Sequence, residues 1–104
     1  MTSRAVVRNV VVQCWGTPQV TIGSVNEPRE MEEHGYRFNE KWVYRLAQTE
    51  PNQPKERLIY WHRYDFVAAY LVNPNGTVVQ EDPTSVLSGL QDRRYHPKGT
   101  LPAQ

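Results

Sequence analysis

The side chains best suited to metal binding or nucleophilic chemistry in this 104-residue chain are His34, His62, His96 and Cys14. No histidine lies three or four residues from another or from Cys14. A zinc site draws on three or four convergent ligands, usually with a local pair, so neither a metal site nor a cofactor is expected. Cys14 could act as a nucleophile beside a histidine base. It stands, however, at the end of a valine-rich run, where cysteine serves as a small hydrophobe, and no flanking signature marks a catalytic thiol. It is expected to be buried.

The remaining candidates for catalysis are weaker. His62-Arg63-Tyr64-Asp65 departs from the His-Arg-Asp run of kinase catalytic loops by an inserted tyrosine, in a chain far too short for a kinase. Gly16, Gly23, Gly35, Gly76, Gly89 and Gly99 stand apart, so no loop is built to cradle phosphate. Glu30, Glu32 and Glu33 read as a solvated face. No catalytic residue is expected, and a small enzyme with a nonlocal His/Cys/Asp site is the least favoured reading.

Recognition chemistry is better represented. Arg45, Arg63, Tyr44, Tyr60, His62 and Tyr64 form the candidate partner-binding set, with Trp42, Trp61, Tyr70 and Arg57 close by in sequence. Tyrosine, tryptophan and arginine dominate interface hot spots, and aromatic sheets can also stack single-stranded bases. The competing reading is that these rings form the core of a chain poor in leucine and isoleucine. Arg45, Arg57 and Arg63 are all expected at the surface, because a guanidinium is costly to bury without a partner. Twelve basic against eleven acidic residues leave a net charge of +1. That balance weighs against nucleic acid, whose binding draws on counterion release. The leading expectation is therefore a non-catalytic interaction module, a small accessory or regulatory protein acting through protein–protein contact. The alternative is single-stranded nucleic-acid binding through an aromatic and arginine sheet face.

These residues need a scaffold, and the chain reads as one β-rich α+β domain over 1–94 with a mobile tail over 95–104. Five or six antiparallel strands are expected in a curved sheet or small barrel, with one or two short helices. Val6, Val7, Val10, Val11 and Val12 suggest a strand from Ala5 to Trp15, since β-branched residues favour pleated sheet. Gly16-Thr17-Pro18 breaks it, and Val20-Thr21-Ile22 would return as its partner. Asn26 to Gly35 reads as a short helix or an ordered acidic loop. Two aromatic-rich runs, Lys41–Gln48 and Leu58–His62, flank Pro51-Asn52-Gln53-Pro54 as a hairpin. A bend near Arg63-Tyr64-Asp65 leads into Phe66–Val72, apolar on both parities like a strand covered on both faces. Asn73-Pro74-Asn75-Gly76 is the strongest turn signal, returning through Thr77-Val78-Val79. Asp82-Pro83 opens a short helix carrying Val86, Leu87 and Leu90. The lone cysteine, the absence of a membrane-length apolar run and a first segment interrupted by Arg8 and Asn9 suggest a cytoplasmic protein.

Overall fold

The computed structural model describes residues 8–48 and 50–82 together with Val86. The expected tail, and all of the expected last helix apart from Val86, lie outside these residues. Val86 itself is helical, and its N–H donates to the Asp82 carbonyl at 3.1 Å.

An antiparallel sheet of five strands carries the fold, in the order β1-β4-β5-β6-β7. The strands are β1 (Val20–Gly23), β4 (Glu40–Arg45), β5 (Glu56–His62), β6 (Asp65–Val72) and β7 (Val78–Glu81). A separate two-stranded hairpin pairs β2 (Met31–Glu33) with β3 (Tyr36–Phe38). The architecture is thus mainly β with antiparallel pairing, as the sequence suggests. The sheet is not closed, with β1 and β7 at its ends among the described residues, so of the two expected shapes it is the sheet and not the barrel.

The hairpins form where the turn chemistry places them. Trp42 pairs with Ile59 and Arg45 with Glu56 across β4 and β5. A two-residue turn, Arg63-Tyr64, joins β5 to β6 by way of the His62–Asp65 pair, with Arg63 at φ 58°. At Asn73–Thr77 the Gly76 N–H donates to the Asn73 carbonyl and the Asn73 N–H to the Thr77 carbonyl. Gly76, at φ 91°, supplies the left-handed position that closes such a three-residue loop.

Two expectations are corrected. Arg8–Trp15 is a helix, α1, rather than a strand. Val11 and Trp15 stand four residues apart and are fully buried, whereas Val10 and Val12 face outward. A helical stripe onto the sheet outweighs the modest helix penalty of the β-branched residues. Val20–Gly23 accordingly pairs with β4 instead of with that segment. The 26–35 segment is no helix: residues 26–30 form a loop, and 31–35 are the first strand and turn of the β2–β3 hairpin. Its turn residues, His34 at φ 55° and Gly35 at φ 84°, suit a two-residue hairpin that needs left-handed backbone at both positions.

Each face of the sheet has its own cover. Trp42, Tyr44, Ile59, Trp61 and Ala69 pack with Val11 and Trp15 of α1 and with Val86 on one side. Phe38, Val43, Leu58, Tyr60, Ala68 and Tyr70 pack on the other, with Met31 and Tyr36 of the hairpin against them. Strand parity sorts the rings, because successive side chains point to opposite faces.

Candidate interaction surface

The six candidate residues do not come together on one surface. Tyr44 and Tyr60 are fully buried, on opposite faces, and so are corrected from surface to core. The Tyr44 hydroxyl donates to the Gly16 carbonyl at 2.8 Å, tying the end of α1 to β4. Arg45 and Arg63 are exposed but stand at opposite ends of the sheet, about 20 Å apart along the strand direction at roughly 3.3 Å per residue. Arg63 is a strap. Its guanidinium donates to the Val25 carbonyl at 2.6 Å, and its N–H to Asn39 Oδ1 at 2.9 Å. His62 sits half-buried beside Glu30, with Nε2 at 3.1 Å. Tyr64 is the one ring of the set that stands in solvent, 71% exposed.

The hairpin is fastened to the sheet by groups that could otherwise do acid–base chemistry. Glu33 accepts from the Tyr60 hydroxyl at 2.6 Å and from Lys41 Nζ at 2.9 Å. Burial, reinforced by the bond to the Glu33 carboxylate, raises the Tyr60 phenol far above its ordinary value. Partial burial pushes the Glu33 carboxyl up, but Tyr60 and Lys41 outweigh that and hold it below the usual range. His34 packs on Tyr70 with ring centroids 4.5 Å apart, and Gln80 donates to the Tyr36 hydroxyl at 2.8 Å. His96 lies outside the described residues. Among the described residues no three His, Cys, Asp or Glu side chains are placed to share a metal ion. Cys14 is half-buried, packed against the tryptophan cluster from α1 rather than from a strand.

The helix-covered face contains two arginine–glutamate pairs. Arg57, expected at the surface, is 2% exposed and bonds Glu81 through two nitrogens at 2.8 Å each. Its guanidinium carbon lies 4.3 Å from the centre of Trp15. Parity explains the burial, since Arg57 shares its face with Ile59 and Trp61. At the other end Arg8 of α1 meets the buried Glu40, with an N–O distance of 2.7 Å. The same guanidinium lies 4.9 Å from Trp42, 5.3 Å from Trp61 and 5.8 Å from Tyr64, measured to ring centres. No sequence motif joins Arg57 to Glu81 or Arg8 to Glu40, and parity within β5 was the one usable signal.

An open surface lies along β7. Among the described residues this strand has a neighbour only on its β6 side. Val78 and Val79 are exposed, Val79 at 53%. The Asn73–Thr77 bond sets the alternation of the ladder, so Val79 and Glu81 bond inward to β6 while Val78 and Gln80 point their backbone groups outward. The ladder ends at Ala69–Glu81, although β6 reaches back to Asp65. Val67 is the extra residue where the β5–β6 register slips. The part of β6 that no described strand pairs with on this side, Phe66 to Ala68, opens on a groove of about 590 Å³ also lined by Tyr36, Gln80 and Glu81.

A scan against protein-family models and searches of curated proteins and of solved structures found no match. Among the described residues no helix is long and apolar enough to cross a membrane.

Proposed function

We propose that this protein is a non-catalytic interaction module that binds a partner protein by receiving an extended segment along its β6–β7 edge. One observation carries the reading: β7 stops opposite Ala69 while β6 continues, beside a groove and two exposed valines. An unpaired edge offers N–H and C=O groups in a fixed row, and an added strand gains main-chain hydrogen bonds from it. Natural edges are commonly blunted by lysine or proline on the strand. Val78-Val79-Gln80-Glu81 has neither.

The acid–base groups support the same reading. Tyr60, Glu33, Lys41, His62 and Glu30 satisfy one another in fastening the hairpin. Stacking of single-stranded nucleic acid on the sheet has less support, because Trp42, Tyr44, Tyr60 and Trp61 lie beneath the helix or the hairpin.

Affinity capture from cell extract, after nuclease treatment, tests the proposal with wild type and Val78→Pro. Proline there removes an outward N–H without touching the β6 ladder and is tolerated at the start of an edge strand. Capture of a protein held by wild type is expected to weaken by roughly fivefold with Val78→Pro, since one main-chain bond of about 1 kcal/mol is removed. Equal capture by the two folded proteins would rule out the edge, and a partner lost on nuclease treatment would favour nucleic acid.

A further inference from the structure

The Arg8 end of the sheet has the chemistry of a recognition site whose occupant comes from the same chain. Glu40 and Trp42 belong to β4, Trp61 to β5 and Tyr64 to the turn after it, so the sheet supplies every wall. Trp42 Nε1 donates to Glu40 Oε2 at 2.8 Å. The carboxylate is therefore oriented by the sheet itself, whether or not Arg8 is beside it. Trp42 and Trp61 stand 4.9 Å apart at a 57° tilt, and Tyr64 adds the outer wall. Three rings within 6 Å of one cation is the arrangement that binds organic cations through their ring quadrupoles.

The acceptors narrow the ligand class. Arg8 reaches Glu40 through both terminal nitrogens, at 2.7 and 3.4 Å, and the Arg63 carbonyl at 3.4 Å. Such a set of oxygens around a flat cation suits the fork of a guanidinium. A quaternary ammonium has no N–H to give them.

Arg8 lies closer to solvent than the site it fills, its side chain 20% exposed against 7% for Glu40. Its helix is anchored separately by Val11 and Trp15, so the Arg8 side chain can leave without loss of those contacts. We propose that Glu40, Trp42, Trp61 and Tyr64 form a guanidinium-recognition site, that Arg8 fills it within the chain, and that an arginine side chain of a binding partner takes its place. This site is separate from the β6–β7 edge and stands whether or not that edge binds a strand.

Titration of Arg8→Ala with N-acetyl-arginine amide, followed by tryptophan fluorescence, tests the proposal. A saturable response at millimolar ligand is expected. Wild type should respond at least about tenfold more weakly, because its own Arg8 competes at high effective concentration. Arg8→Ala combined with Glu40→Gln should lose the response, as should Arg8→Ala titrated with the neutral citrulline analogue or with tetramethylammonium. If Arg8→Ala does not fold alone, restoration of its cooperative transition by the arginine amide and not by the citrulline analogue becomes the expected result. A folded Arg8→Ala that shows no saturable response, an unfolded one that the amide does not rescue, or an equal response to either control ligand would overturn the proposal.

Discussion

Arg57 and Arg8 lie on the same face of the sheet, each joined to a glutamate and stacked on tryptophan, but their surroundings differ. Arg57 is 2% exposed and Glu81 8%, measured on the side chains, whereas Arg8 is 20% exposed beside a solvent-standing Tyr64. The first pair joins two strands of the sheet, β5 and β7; the second joins the sheet to the first residue of a helix. A buried pair is held in place because losing one partner strands the other in a medium that cannot solvate it. At a rim, water can take over part of that role, and the same cation–carboxylate–indole chemistry becomes exchangeable. Burial, rather than residue type, separates a structural arginine from a replaceable one.

The largest effect is expected at the sealed pair. Arg57→Ala should destabilise the domain by roughly 3–5 kcal/mol, because Glu81 is left charged and buried. Arg57→Met with Glu81→Leu should recover most of that loss, since an apolar pair of similar volume avoids the desolvation cost. Arg8→Ala should cost less, about 1–3 kcal/mol, because Glu40, though as buried as Glu81, keeps its bond from Trp42 Nε1 and gains water at the place Arg8 leaves. Denaturant midpoints measure all three. Equal losses for Arg57→Ala and Arg8→Ala would erase the distinction between the two sites.

A smaller effect, common to both proteins in that comparison, comes from the buried phenols. Burial raises the Tyr44 and Tyr60 hydroxyls far above their ordinary value of 10.0. Below about pH 10 the folded and unfolded chains both keep these phenols protonated; above it only the unfolded chain ionises. Stability should therefore fall as pH rises past 10, with the same slope in wild type and Arg8→Ala. Glu33 acts with the opposite sign. Its folded value lies below the usual carboxyl range, so its contribution is present above that range and is lost on acidification. A midpoint that stays flat between pH 9 and 11 would contradict the burial assigned to Tyr44 and Tyr60.

Turn chemistry was the most legible part of the fold. Asn73-Pro74-Asn75-Gly76, the proline-flanked loop between β4 and β5, and the bend at Arg63-Tyr64 all fall where residues that preset φ or tolerate its positive range stand between apolar runs. The valine-rich start misled because local β preference is weak against the burial of Val11 and Trp15 on one helical stripe. Gly35, which would end a helix over Asn26 to Gly35, is instead the second residue of a hairpin turn at φ 84°, a role glycine fills for the same conformational reason. The site was less legible than the fold. Tyr64, one of the six candidates, stands in solvent, but Arg57 was assigned to the surface on its charge although its parity placed it with Ile59 and Trp61. Glu40 and Glu81 had no local signature, because their partners lie 32 and 24 residues away in sequence. Such pairs are created by strand order and by helix-on-sheet packing, which local patterns do not encode.

Hydrogen exchange of the arginine side chains, read by nitrogen-15 NMR on the wild-type protein, compares the two sites within one molecule. Arg57 Nε–H, bonded to Glu81 and sealed beneath α1, is expected to exchange only through opening of the β7 edge or of the whole fold. Arg8, with its side chain 20% exposed, should exchange much faster, through release of its own side chain, and its rate should be insensitive to Val78→Pro. Equal, slow exchange at both arginines would contradict the account, because Arg8 would then be as permanent a part of the core as Arg57.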